Sequence, residues 1–204
     1  MPKTEQFIDE INRENGYGIF LMAQMDSVPE TLQFVIATTE YDDQAKGLRD
    51  KSRYIVRAVG VQEHRVSMGI FGQVQILDSH PLLYQYNAPP VGLFFRGQPE
   101  SPQELLLDLI QAYSGVMQEW RHIPTYLNMQ QPLVELVRSG GGLLGEMPVP
   151  LADGLERVLQ HHGLETHRVA GEQSGEQPTM KLMLLDDAYV VAMDFTIEEL
   201  GKVD

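Results

Sequence analysis

The chain has 204 residues, of which 43% are apolar and 22% charged, a balance typical of a folded globular protein. Its net charge of −14 disfavours binding to nucleic-acid phosphates, and its lack of cysteine excludes disulfides, thiolate metal sites and cysteine nucleophiles. No apolar run reaches the ~20 residues that a membrane-spanning helix needs, and the first residues lack the apolar core of a signal peptide. We therefore expect a cytoplasmic protein that binds neither nucleic acid nor membranes.

The first part of the chain predicts one helix and a series of short strands. Residues 4–15 carry an apolar stripe at helical spacing and end at an Asn-Gly pair that is typical of a helix stop. Residues 41–51 are polar and are expected to form a loop or a short helix. The other apolar stretches alternate with period two or are short enough for buried strands. The predicted strands are 19–25, 32–39, 53–61, 66–77, 81–87 and 91–97.

The clearest helix start is Ser101, because serine caps backbone amides, Pro102 suits the first helical position and Glu104 completes a capping box. Apolar side chains at helical spacing follow as far as Trp120. The short turns between the preceding strands favour an antiparallel meander. We expect the helix 102–120 to cover the apolar face of that meander, with Trp120 as a core anchor.

The rest of the chain predicts a smaller lobe of one main helix and two strand elements. Residues 150–162 form an amphipathic helix, 164–170 a strand and 181–195 a final hairpin. The glycine run after Ser139 lacks the lysine and following helix of a phosphate loop, so it is expected to be a hinge or linker.

The predicted fold class is therefore α+β: an antiparallel β-meander of about five strands packed by helices, followed by a smaller αββ lobe. The glycine run and the more acidic composition beyond it place the domain boundary between 1–130 and 131–204. A single fused domain is the alternative.

Three of the six histidines lie in one short segment, and His161, His162 and His167 are the candidate metal ligands. Adjacent histidines on a helix point about 100° apart, and the spacing matches no common zinc motif. Histidines in the last turn of a helix that ends at Gly163 are favoured by the helix dipole. We therefore predict a capped helix end, with no metal and no cofactor.

One window, from Lys46 to Arg65, is basic in an otherwise acidic chain. Its side chains would hold a small anion by charge-assisted hydrogen bonds, with tyrosines and a further arginine lining the sheet. The candidate ligand-binding residues are Arg53, Arg57, His64, Arg65, Tyr84, Tyr86 and Arg96. The alternatives are a solvated face with internal ion pairs, or a docking surface for an acidic patch of a second copy.

No catalytic constellation is found in the sequence. Asp78, Ser79 and His80 are neighbours in a predicted turn, where a hydrolytic triad does not converge. The first hypothesis is a non-enzymatic interaction protein, adaptor-like or chaperone-like, that self-associates or binds a protein partner. The alternative is a small-molecule anion-binding domain or enzyme that uses the basic window.

Overall fold

The structure, a computed structural model, describes residues 3–25, 28–171 and 178–202. The chain divides into two compact units, one formed by Met1–Ser79 with Pro178–Asp204 and the other by His80–Gln177. Helices and antiparallel sheets occur in both units, so the predicted α+β class with an antiparallel sheet of about five strands is confirmed.

The described residues form helices and strands as follows. The helices are α1 (Lys3–Asn12), α2 (Tyr84–Asn87), α3 (Pro102–Met117), α4 (Leu133–Ser139) and α5 (Val149–His161), with short 3-10 turns at Pro81–Leu83 and Ile123–Thr125. The strands are β1 (Gly16–Met25), β2 (Thr31–Asp42), β3 (Gly47–Val59), β4 (Glu63–Arg65), β5 (Ile70–Phe71), β6 (Val74–Leu77), β7 (Pro90–Arg96), β8 (Gly141–Pro148), β9 (Glu165–Ala170), β10 (Lys181–Leu185), β11 (Ala188–Ala192) and β12 (Asp194–Lys202).

The first unit contains two antiparallel sheets and α1. The strand orders are β12-β3-β2-β1-β5 and β4-β11-β10-β6. Alternate residues of β2 and β3 point into one shared core, because a strand places successive side chains on opposite faces. Phe7 and Ile11 of α1 complete that core. The fully buried members from the strands include Phe34, Ile36, Tyr54, Val56, Ala58, Val74, Met183 and Val190.

The second unit packs α3, α4 and α5 against a three-stranded antiparallel sheet in the order β8-β7-β9. The predicted helix start is confirmed, since the Ser101 hydroxyl accepts a hydrogen bond of 3.4 Å from the Glu104 amide. The helix apolar stripes and the inner face of β7 form a separate core. Its buried members include Leu93, Leu109, Tyr113, Leu144, Leu151 and Leu155.

The prediction that the helix 102–120 covers the meander is wrong. The helix α3 packs against α4 and α5 in the second unit, whereas Val74 belongs to the core of the first unit. Trp120 lies beyond the end of α3, half-buried, with its ring 5.3 Å from that of His80. An amphipathic stripe predicts that a helix face is covered, but it does not identify the covering element.

Two predicted strands differ from the structure. Residues 81–87 form a 3-10 turn and α2, because Pro81 starts the turn and the His80 ring accepts a hydrogen bond from the Leu82 amide. The stretch 66–77 is broken into β5 and β6, which join different sheets. The Asp186 carboxylate accepts hydrogen bonds from the amides of Gly72 and Gln73 and so holds the break.

The polar stretch 41–51, predicted as a loop or short helix, is instead the end of β2, a tight turn and the start of β3. The Asp42 carboxylate accepts hydrogen bonds from the amides of Gln44 and Ala45, and these bonds close the turn. The two strands therefore extend well beyond the apolar segments that identified them.

The glycine run is not a linker between units. Gly140 ends α4 with a left-handed φ of 82°, and Gly141 and Gly142 pair with Arg96 and Phe95 in the sheet. The predicted boundary at residue 131 therefore falls inside the second unit. The final hairpin pairs with β6 and β4 of the first unit instead of with β9. No helix in the described part of the chain is both long and apolar enough to cross a membrane.

Candidate functional site

The arginines of the basic window lie on different surfaces of the first unit. Arg53 and Arg57 alternate with buried core residues of β3, so they project from the outer face of the five-stranded sheet. The Arg57 guanidinium donates to Glu198 on β12 at 2.8 Å, and Arg53 lies 3.9 Å from Asp50. This outer face is open, and both arginines are partly solvated there.

The other predicted ligands lie on elements other than β3. His64 and Arg65 lie on β4 of the other sheet, where the Arg65 guanidinium donates to the Asp187 carbonyl at 2.7 and 3.1 Å and lies over the Tyr189 ring. The remaining candidates belong to the second unit: Tyr84 and Tyr86 on α2, and Arg96 at the end of β7. The predicted seven-residue set is therefore divided among separate elements.

The three candidate metal ligands do not converge either. His162 Nε2 lies 2.8 Å from the Asp108 carboxylate, and the rings of His161 and His162 are nearly perpendicular. His167 lies on β9, on the face opposite to Thr166, whose hydroxyl donates to Glu156 of α5. Among the described residues, no group of three or more His, Asp or Glu side chains is arranged to hold a metal ion.

A concave charged surface of the first unit lies beyond the end of α1. On the inner face of β2, the apolar residues Phe34 and Ile36 are followed at the same period by Thr38, Glu40 and Asp42. Because α1 ends at Asn12, the part of this polar extension beyond Thr38 is not covered by it. We call the resulting hollow the charged cleft. It has a volume of about 830 Å³ and is lined by Glu10, Arg13, Glu40, Tyr41, Asp42, Asp43, Gln44, Arg49, Asp50, Lys51 and Ser52.

Glu10 is a buried carboxylate in the wall of the charged cleft, with 8% of its surface exposed. It accepts hydrogen bonds of 2.6 Å from the Thr38 hydroxyl and 3.0 Å from the Gln6 amide. Burial raises its pKa, but these hydrogen bonds and the positive charge of Arg13 outweigh burial and lower the pKa below the ordinary value. Glu10 is therefore ionised at neutral pH.

Cations from two elements meet in the charged cleft. Lys51 is the extra residue of a β-bulge between β2 and β3 and forms an ion pair with Glu40. Burial lowers the pKa of Lys51, and the nearby charge of Arg13 lowers it further. The Arg13 Nε donates to the Asp9 carbonyl at 3.2 Å, which anchors the guanidinium at the end of α1.

A second feature is the outer edge of β1. The neighbouring β5 pairs with Gly18 and Ile19, and the Phe20 amide donates to the Gly69 carbonyl, so the five residues of β1 after Phe20 have no strand partner on that side among the described residues. We call residues 21–25 the β1 edge. All five are exposed; Leu21, Met22 and Met25 have exposed fractions of 45%, 42% and 61%.

The β1 edge differs from the charged edge strands β12 and β4 of its unit, because it carries no charge and no described strand pairs with it. β12 carries three carboxylates, and β4 is three residues long with charged ends. The side chain of Asn12 donates to the Val74 carbonyl and accepts from the Val74 amide, which covers part of the edge of β6. Charge, shortness and covering groups are the usual ways in which proteins block edge pairing.

Glu10, Arg13 and the β1 edge are not among the functional residues predicted from the sequence. The charged cleft did leave a signal, since the inner-face positions of β2 change from apolar to polar while the period continues. The predicted strand 19–25 contains the β1 edge, but its position at an edge depends on strand order.

The chain matches no protein-family model, no curated protein and no solved structure with which it was compared.

Proposed function

We propose that this protein is a non-enzymatic, cytoplasmic interaction protein that self-associates through the β1 edge. The observation that carries the proposal is an exposed and uncharged strand edge, unpaired among the described residues, in a chain whose net charge is −14. Unpaired backbone amides and carbonyls on such an edge are a template for pairing with another strand.

The composition of the β1 edge favours a second copy of the same chain as its partner. Two identical edges pair antiparallel about a two-fold axis, with the same five residues contributed by each copy. Residues 16–25 contain no charged side chain, so like charges of two acidic chains are not opposed within this strand. Five paired residues span about 17 Å and make one continuous sheet across the two copies.

Apolar side chains beside the edge enlarge the surface that pairing would bury. On the outer face of the sheet, Met22 is the cross-strand neighbour of Val35, which in turn is the neighbour of Ile55. A stable interface usually buries at least about 1,000 Å² in total. Since the edge itself is short, we expect a dimer that dissociates on dilution.

The test is the molar mass in solution, measured by light scattering over a range of protein concentrations. We expect the mass of the wild type to rise from monomer to dimer, and Met22→Lys to remain monomeric because a charge at the edge opposes pairing. The matched control is Leu107→Lys, which places the same charge at an exposed apolar site on α3. A wild type that stays monomeric, or a Met22→Lys variant that associates like the wild type, would refute the proposal.

A further inference from the structure

We propose that the charged cleft binds a small zwitterion, a molecule that carries both a carboxylate and an ammonium group. This proposal is independent of self-association, since the lining of the charged cleft and the β1 edge share no residue. The volume of about 830 Å³ lies within the range of small-molecule sites in proteins.

The carboxylate of the ligand is assigned to Arg13 and Lys51. Arg13 uses its Nε for a backbone carbonyl, and in the described part of the chain its two terminal nitrogens form no ion pair. A guanidinium presents paired donors that match a carboxylate, and a lysine beside it adds a point charge. The two cations also repel each other, so an anion between them removes an unfavourable interaction.

The ammonium group of the ligand is assigned to the acidic side chains of the charged cleft. Five acidic and three basic side chains line it, so the local charge is negative even though Arg13 and Lys51 are present. This excess of acidic side chains repels a dianion. A ligand that carries only a carboxylate would bring no positive group to interact with the acidic side chains. A ligand with both charges satisfies both groups, which is why a zwitterion fits better than phosphate.

Ser52 lines the charged cleft, and the buried sheet face behind it is polar where the same face elsewhere is apolar, which supports a built binding site. Thr38 and Ser52 are fully or almost fully buried, and the Thr38 hydroxyl accepts from the Ser52 amide while donating to Glu10. The neighbouring Tyr54 hydroxyl is buried near Glu10 without a partner at hydrogen-bond geometry in the described residues. Burying these polar groups costs stability that apolar groups in their place would not cost.

The experiment measures binding of defined probes to the full chain by calorimetry. The zwitterionic probes are alanine, with adjacent charges, and 5-aminopentanoate, with separated charges. Pentanoate, pentylamine and inorganic phosphate provide one type of charge each. We expect at least one zwitterion to bind at least ten-fold more tightly than all three single-charge probes. Failure of both zwitterions to bind, or equal binding of pentanoate or phosphate, would overturn the proposal.

A pair of variants locates the site. Arg13→Gln should weaken binding of the zwitterion at least ten-fold, because it removes the carboxylate partner. Arg157→Gln is the matched control, since Arg157 is also exposed on a helix and donates its Nε to the carbonyl four residues earlier. Arg157→Gln and Met22→Lys should bind like the wild type. Unchanged binding by a folded Arg13→Gln variant would contradict the assignment.

Discussion

Glu10 connects the chemistry of the charged cleft to the stability of the first unit. Its carboxylate is buried between α1 and β2, yet it is held in the ionised form by Thr38, Gln6 and Arg13. The Thr38 hydrogen bond, one of those that lower its pKa, joins α1 to β2. A group whose pKa is lowered by folding makes the folded state more stable when it is charged.

Glu10→Gln is therefore expected to destabilise the protein by about 1–2 kcal/mol at neutral pH, the usual contribution of hydrogen bonds to a charged group. The contribution of the carboxylate is complete above its unfolded pKa, about 4.3, and is lost as the pH falls through the lower folded value. The stability difference between wild type and Glu10→Gln should consequently shrink below about pH 4. Urea unfolding of both proteins at several pH values measures this difference in unfolding free energy.

Glu14→Gln, an exposed change just beyond α1, is the control for this experiment and should have little effect at any pH. A difference between wild type and Glu10→Gln that stays constant from neutral to acidic pH would show that the ionised carboxylate is not what stabilises the fold.

The sequence predicts residues whose role is local and misses those whose role depends on distant partners. Ser101 and Gly163 were identified as a helix cap and a helix stop because their signals lie within a few neighbouring positions. Glu10 lies on an amphipathic helix, where an acidic residue normally faces solvent. Its burial depends on Thr38, which comes from a different strand of the sheet.

At the scale of elements, period-two alternation predicts β3 correctly because this strand has one buried face. The same pattern runs unbroken through 66–77, where the structure has two strands in two sheets. The break is set by Asp186, a residue of the distant hairpin turn, and no local pattern encodes that contact.

Asn12, at the end of α1, forms hydrogen bonds to the edge strand β6, and its substitution tests what these bonds contribute to stability. Its side chain makes two hydrogen bonds of 2.9 and 2.8 Å to the backbone of Val74 and replaces a strand partner for β6. Asn12→Ala removes both bonds, and we expect a loss of about 1–2 kcal/mol in unfolding free energy. Amide hydrogen exchange at Val74 should accelerate.

The control for Asn12→Ala is Gln111→Ala, which truncates an exposed amide side chain on α3. It should change neither the unfolding free energy nor the exchange of β6. If Asn12→Ala left the exchange of Val74 unchanged, the backbone of β6 would be protected by some group other than Asn12.

At the scale of the whole molecule, the sequence of the second unit interrupts the sequence of the first. The chain leaves the first unit at Ser79 and returns to it at Pro178, where β10 and β11 pair with β6 and β4. A glycine run and a change in charge predicted a boundary at residue 131 instead. Composition locates breaks along the chain, but it does not show that the last hairpin pairs with strands far earlier in the sequence.

The segment 80–177 is expected to fold alone, because it contains a complete sheet, the helices that cover it and a separate apolar core. Circular dichroism during heating should show one cooperative transition. The control is the segment 131–204, the lobe expected from the sequence, which combines parts of both units and should not fold. A fragment 80–177 without a cooperative transition would contradict the division into these units.

Self-association through the β1 edge is tested most directly by amide hydrogen exchange of the wild type at low and high protein concentration. Pairing with a second copy would protect backbone amides in residues 21–25, whereas the charged edge strand β12 should exchange equally at both concentrations. We expect slower exchange in residues 21–25 at high concentration. Equal exchange there at both concentrations, in a sample whose mass shows association, would contradict the proposed interface.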